Sequence, residues 1–227
     1  MVISVADKPH RRHLFARLPS FPYRRRIGIM GGSFNPAHNG HLYVAEHARK
    51  SAGLAEVWWL VSPQNPLKEL EGMAEFEQRL TYARSLAKPS WLRVLDLERG
   101  QKTTKTADTL RRLCHLCSHP QFFWIMGADN LSQFASWDRP EQIANIMPIL
   151  IMNRPGYIYR ALGGSGTALL GRKNRSRVPR RLGHRAGSYD GHLKRTKQSG
   201  GKRRGWSFIH QTQNSLSATS VRAHNPE

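Results

Sequence analysis

Gly31-Gly32-Ser33-Phe34-Asn35-Pro36-Ala37-His38-Asn39-Gly40-His41 is the stretch on which the fold turns. The apolar run Ile27–Met30 before it reads as a strand, and Leu42–Lys50 after it reads as the start of a helix. A strand, a glycine turn and a helix in that order build a phosphate site. Small residues let the backbone come close, and the helix N-terminus offers free N–H donors and a partial positive charge. His38 and His41 fall at that helix mouth. Their imidazoles can donate hydrogen bonds to phosphate oxygens, and as imidazolium they would add charge. A loop whose histidines simply cap a helix is the plainer alternative. The stretch contains neither G-x-x-x-x-G-K-[ST] nor G-x-G-x-x-G, so the P-loop and the dinucleotide fingerprint are both excluded.

Outward from this stretch, strand and helix alternate. Helices are expected over His41–Ala52, stopped by Gly53, over Glu75–Ala87, stopped by Pro89, and over Thr106–Cys117. Strands are expected at Val57–Val61, Leu92–Leu97, Phe122–Met126, Ile149–Met152 and Trp206–His210, and Ser215–Arg222 reads as a turn into a last helix. Repeated β-α-β units imply an α/β, Rossmann-like, doubly wound and mostly parallel sheet with helices on both faces. Ligands then bind beyond the carboxyl ends of the strands. Four polar clusters follow strands in this way: Gly31–His41, Gln64–Lys68, Gly127–Asn130 and Asn153–Tyr157.

The chain of 227 residues suits one such domain, over 26–227, with residues 1–25 read as a basic and mobile extension. The formal net charge is +21, from 36 Lys+Arg against 15 Asp+Glu. Arg160–Arg204 alone carries +13 of it, with fourteen basic residues and one acid, Asp190. Within 162–205 apolar periodicity fades into a basic, low-complexity segment, before the strand and helix expected over 206–227. The two cysteines, Cys114 and Cys117, lie three apart on one predicted helix, where core packing is favoured over a disulfide or a zinc site. A reduced, cytoplasmic protein is expected, and no apolar run is long enough to span a membrane.

The opening stretch resembles the G-G-[ST]-F-[DN]-P-x-H-x-G-H signature of the nucleotidyltransferase superfamily. With Ser62–Lys68, Lys105–Leu110, Gly127–Leu131, Arg154–Tyr157 and Leu216–Arg222 added, the chain resembles the bacterial nicotinate-nucleotide adenylyltransferases over Ile27 to about Tyr159 and again over Trp206–Arg222. That resemblance implies joining of ATP and nicotinate mononucleotide into nicotinate adenine dinucleotide and pyrophosphate, with Mg²⁺ held mainly through ATP phosphates. No protein metal ligands are assigned. It implies that Gly31, Gly32, Ser33, His38 and His41 meet the ATP phosphates, and that Gly127 and Asp129, with Asn130, line the nucleotide region. Ser217, Thr219 and Arg222, in Leu216-Ser217-Ala218-Thr219-Ser220-Val221-Arg222, would hold the triphosphate. Ser33, Phe34, Lys68, Thr106 and Trp137 would meet the mononucleotide, with Trp137 stacked on the pyridine ring. The catalytic group so implied is His38, His41, Lys68 and Arg222.

Each position has its ordinary counterpart: Lys68 a solvated lysine, Thr106 a helix N-cap, Trp137 a core residue. Many relatives carry an aromatic residue where this chain has Lys105. Residues 162–205 do not resemble the family. They read as an out-of-frame stretch, a divergent basic insertion, or a solvated loop. A nicotinamide-mononucleotide or dual-specific enzyme is the nearest rival. A basic nucleic-acid-binding protein on an inactive transferase scaffold is the rival from another class, resting on the +13 segment alone. Neither a membrane partner nor, on balance, a nucleic-acid partner is expected, and a homo-oligomer stays open.

Overall fold

The computed structural model describes residues 25–63, 72–99, 105–117, 120–153, 164–170 and 205–209. Six strands occupy them: β1 (Arg26–Gly32), β2 (Glu56–Val61), β3 (Leu92–Leu95), β4 (Gln121–Gly127), β5 (Ile149–Met152) and β6 (Trp206–Ile209). Helices α1 (Asn39–Ala52), α2 (Phe76–Leu86), α3 (Thr106–Leu116), α4 (Ala128–Gln133), α5 (Pro140–Ile146) and α6 (Ser165–Leu170) fall between them, with a 3₁₀ turn at Phe134–Ser136. The sheet order is β3-β2-β1-β4-β5-β6, and every neighbouring pair is parallel. The α/β, doubly wound expectation is met. The order reverses between β1 and β4, which opens a crevice at their carboxyl ends.

Strand alternation sorts the apolar residues into two cores. Ile27, Ile29, Trp58, Leu60, Phe122, Trp124, Met126, Ile149 and Ile151 face α3, α4, α5 and α6. Val57, Trp59, Val61, Phe123, Ile125, Leu150 and Met152 face α1 and α2. Successive residues of a strand point to opposite faces. The continuous run Glu56-Val57-Trp58-Trp59-Leu60-Val61 is therefore buried throughout, and one tryptophan serves each core. Cys117 and Cys114 pack on the first core as reduced thiols, and burial pushes the Cys117 thiol up to about 11.

The structure corrects several boundaries. α1 begins at Asn39, two residues before the expected start, because His38 caps it. α3 begins at Thr106 with Lys105 as its cap residue, so Thr106 is not the N-cap. β3 ends at Leu95, two residues before the expected end. Helices α4, α5 and α6 were not expected. The last falls inside the basic segment that reads as low-complexity, with Gly166, Thr167 and Leu170 buried. The basic residues 171–204, residues 1–24 and the sequence beyond Ile209 lie outside the described residues, as do the expectations placed on them. Among the described residues no helix is long and apolar enough to cross a membrane.

At the opposite edge of the sheet from the crevice, Glu56 is 3 % exposed. It accepts from Arg25 Nη1 at 3.0 Å, Arg93 Nε at 2.8 Å and Trp58 Nε1 at 2.8 Å. Burial alone would raise its pKa. Hydrogen bonds from Arg93 and Trp58 and the two guanidinium charges outweigh that and hold the carboxyl below its ordinary range. A depressed folded-state pKa gives stability that is present above the unfolded-state value and is lost as pH falls through the folded one. Glu56→Gln is expected to cost about 1.5 kcal/mol near neutral pH. Thermal melts across pH should show that deficit shrinking on acidification below about pH 4, and a deficit independent of pH would contradict the charge-based account.

Candidate active site at the carboxyl edge of the sheet

The opening stretch is built around its two histidines. His38 is 5 % exposed. Its Nδ1 accepts from the Gly40 backbone N–H at 3.0 Å. His41 Nδ1 accepts from the His38 backbone N–H at 3.2 Å. The two imidazoles thus form a reciprocal capping box at the start of α1, with ring centroids 3.8 Å apart. A nitrogen that accepts a hydrogen bond carries no proton, so in each neutral ring the proton sits on Nε2, across the ring from the helix. A proton on Nδ1 would break the cap. As neutral rings, the two histidines are oriented N–H donors at the helix mouth. Capping and ligand donation are not alternatives here, because each uses a different nitrogen.

Phe34 anchors the stretch. Its ring is stacked 5.0 Å from Trp59 and lies 4.9 Å from His41, and its backbone sits at φ 48°, a region that disfavours side chains. Gly31 and Gly32 end β1 opposite Leu60 and Val61 of β2. Ser33 is 8 % exposed, and its carbonyl accepts from Arg79 Nη1 at 2.5 Å.

Across the crevice, β4 ends at Gly127, which is also the cap residue of α4. A Cβ there would run into Asp129 Oδ1, so the Asp129 carboxylate folds back over the strand end. Asp129 and Asn130 lie in the first turn of α4. The third wall is α3 and the turn before α5. Trp137 is half-buried, edge-on to Trp124 and Phe134 at 6.4 and 5.5 Å. Lys105 Nζ reaches Asp138 Oδ1 at 3.0 Å. Arg139 bridges Asp138 Oδ2 and Asp108 Oδ2, each at 2.6 Å. These partly exposed pairs add little stability singly, but together they tie the first turn of α3, where Thr106 lies, to the Trp137 turn. Hydrogen bonds from Arg139 and Lys105 hold the Asp138 carboxyl below its ordinary range.

The sequence brought Gly31, Gly32, Ser33, Phe34, His38, His41, Gly127, Asp129, Thr106 and Trp137 to one edge of one sheet. Lys68, Ser217, Thr219 and Arg222 lie outside the described residues. Two polar residues beneath the edge were not foreseen, Arg79 and Glu98, and Ser62 enters the sequence reading only as the start of the Ser62–Lys68 stretch. Arg79 was legible in one respect, since it stands on the apolar stripe of α2 between Phe76 and Ala83. Burial pushes the Glu98 carboxyl above its ordinary range, against hydrogen bonds from Thr109 and Ser62 that act in the other direction.

Residues 29–224 match the cytidylyltransferase-like family. The probable nicotinate-nucleotide adenylyltransferase of Parvibaculum lavamentivorans is 46% identical over 145 residues, 63% of this chain and 72% of that protein. That of Gluconobacter oxydans is 37% identical over 198 residues, 87% of this chain and 93% of its own length. Among solved structures, nicotinic acid mononucleotide adenylyltransferase of Plasmodium falciparum, complexed with NaAD, superposes with a TM-score of 0.62. That match covers 88% of this chain and 83% of the other at 18% identity, a likeness of fold.

Proposed function

The chain belongs to the cytidylyltransferase-like family, among its nicotinate-nucleotide adenylyltransferases, and from that premise we propose how its residues carry out the transfer. The reaction joins ATP and nicotinate mononucleotide into nicotinate adenine dinucleotide and pyrophosphate. A phosphate oxygen of the mononucleotide attacks the α-phosphorus of ATP; the new P–O bond forms as the bond to the β-phosphate bridging oxygen breaks. No covalent enzyme intermediate is required. The protein has to hold two anions in line and stabilise the charge that moves onto pyrophosphate.

The observation that carries this reading is the pair of Nδ1-capped histidines at the β1–α1 turn. With Nδ1 committed to the backbone, the Nε2–H groups of His38 and His41 are fixed donors for the ATP phosphates, beside the N-terminus of α1. Gly31, Gly32 and Ser33 give the phosphates close access to backbone. Asp129, folded over Gly127, accepts from ribose hydroxyls. Thr106 and Trp137 bracket the pyridine ring, held at a set spacing by the Lys105–Asp138–Arg139–Asp108 pairs. Lys68, Ser217, Thr219 and Arg222 are assigned to phosphates on the family pattern.

Among the described residues no group of three or more His, Cys, Asp or Glu side chains is placed to hold a metal ion. We infer a Mg²⁺ held mainly by ATP phosphate oxygens and water, where it would neutralise charge on the leaving pyrophosphate. We assign the reaction to the cytoplasm, in keeping with the reduced state of Cys114 and Cys117.

Pyrophosphate release by the purified chain with Mg-ATP, with either nicotinate or nicotinamide mononucleotide, tests the reading. Higher kcat/KM on the acid supports it; equal values favour a dual-specific enzyme, and no mononucleotide-dependent release overturns it. Trp137→Ala is expected to raise KM for the mononucleotide about tenfold, the worth of one lost ring stack, while KM for ATP holds. A matching rise in both would place Trp137 in the core alone.

A further inference from the structure

Arg79 stands in the first turn of α2 and is 2 % exposed. Its guanidinium donates four times, and each acceptor is a backbone carbonyl. Nη1 reaches Ser33 O at 2.5 Å and Ser62 O at 2.8 Å, Nη2 reaches Pro63 O at 2.7 Å, and Nε reaches Ala74 O at 2.8 Å. The guanidinium lies over the Phe76 ring, 5.6 Å from its centroid. Among the described residues no carboxylate forms an ion pair with it. One buried cation thus ties three backbone segments together: the phosphate turn after β1, the chain leaving β2 and the chain entering α2.

Burying a charge without a counter-ion is costly. Carbonyl dipoles offset that cost where a planar fork can meet them all, which the point charge of a lysine does not do. Two carbonyls of the phosphate turn are held from behind in this way. Gly32 O accepts from Ser62 N at 2.9 Å, and Ser33 O accepts from Arg79. Across a trans peptide the C=O and the next N–H point in opposite directions. Fixing Ser33 O therefore fixes the Phe34 N–H too, on the side away from the guanidinium. Phe34 has its backbone at φ 48°, a conformation that persists where the surroundings enforce it. Asn35 fastens the next residue to the same scaffold. Its Nδ2 donates to Gly72 O at 2.8 Å and its Oδ1 accepts from Ala74 N at 3.1 Å.

We propose that Arg79 is a positioning residue that turns the Ser33 carbonyl away from the bound phosphates and so holds the Gly32–Phe34 turn in its anion-accepting shape. The proposal rests on the adenylyltransferase reading above. A carbonyl oxygen facing a phosphate repels it, and a peptide N–H in the same place attracts it. One peptide plane therefore helps or hinders according to its orientation. Arg79 acts through that plane and not on substrate. Its effect is read in the handling of anions, where a residue that served stability alone would leave no mark.

The test compares Arg79→Lys and Arg79→Met with the parent and with Ala83→Gly, all assayed well below their melting temperatures. Ala83→Gly weakens α2 one turn further on and leaves the four carbonyl bonds in place. Both Arg79 variants are expected to lower kcat/KM for ATP by about tenfold or more, and to raise the inhibition constant of inorganic pyrophosphate against ATP in step. Ala83→Gly should melt lower, with both quantities within about twofold of the parent. Parent-level kcat/KM in Arg79→Lys overturns the proposal, because charge would then suffice without the fork. Losses no greater than those of Ala83→Gly, or an unchanged pyrophosphate constant, also overturn it. If Arg79→Met does not fold, Arg79→Lys decides; if neither folds, Arg79 is a folding residue and the proposal falls. A parent without mononucleotide-dependent release instead overturns the functional reading on which the proposal stands.

Discussion

His38→Ala is expected to lower kcat by about 10²–10³-fold, the usual loss when one fixed donor to transition-state charge is removed. Two effects would overlap in that variant. Nδ1 caps α1 through the Gly40 N–H, and losing a cap costs about 1 kcal/mol. Nε2–H is the proposed phosphate donor. His38→Asn separates them. An asparagine oxygen at an N-cap position accepts from the same turn, so most of the melting temperature should return, while no group reaches where Nε2 stood and kcat should stay low. If activity returned with stability, His38 would be a cap and nothing more. Loss in kcat rather than in KM for ATP is the pattern expected of a donor whose bond tightens as charge moves to the leaving group.

Gly31→Ala is expected to destabilise the protein and weaken mononucleotide binding together. Its Cβ would sit 2.5 Å from Trp124 Cη2, with two further ring atoms at 3.4 Å. β1 is paired with β2 on one side and β4 on the other, so the backbone has nowhere to go. The Trp124 ring has to move, and it lies edge-on to Trp137. Overpacking of this kind costs about 1–3 kcal/mol, or roughly 5 °C for a domain of this size. The shift of Trp124 should also raise KM for the mononucleotide through Trp137. Gly32→Ala is the matched control for stability. A Cβ there meets Phe34 at 3.4 Å, an ordinary contact, so its melting temperature should stay near the parent's. Equal loss in both would mean that backbone freedom, and not the Trp124 contact, is what the position demands.

Much of this site was legible before any coordinates. Gly31 to His41 declared a phosphate turn because residue type and spacing are themselves the mechanism there. Gly127 and Asp129 followed because they come just after an apolar run. The clamp around Asp138 was not legible, since Lys105, Asp108 and Arg139 look like scattered surface charges until α3 and the Trp137 turn are placed side by side. Helices α4, α5 and α6, of six or seven residues each, were missed for a related reason. Helices this short do not hold in water by propensity alone and form where an apolar face finds a partner.

The sequence by itself determined the strand–turn–helix unit at residues 26–52, the run of strands that follows it, the two-faced burial of β2 and the family. All of these are written in local periodicity, in Gly and Pro stops, and in motif spacing. Tertiary structure alone decided that β4 lies beside β1, which puts Gly127 across the crevice from Gly31. It decided which nitrogen of His38 and of His41 caps the helix, because that depends on which backbone N–H each ring meets. It also decided that Arg79 meets the carbonyls of Ser33, Ser62 and Pro63, and that Thr109 meets Glu98. Those residues stand far apart in sequence, and a hydrogen bond between distant residues leaves no local pattern to read.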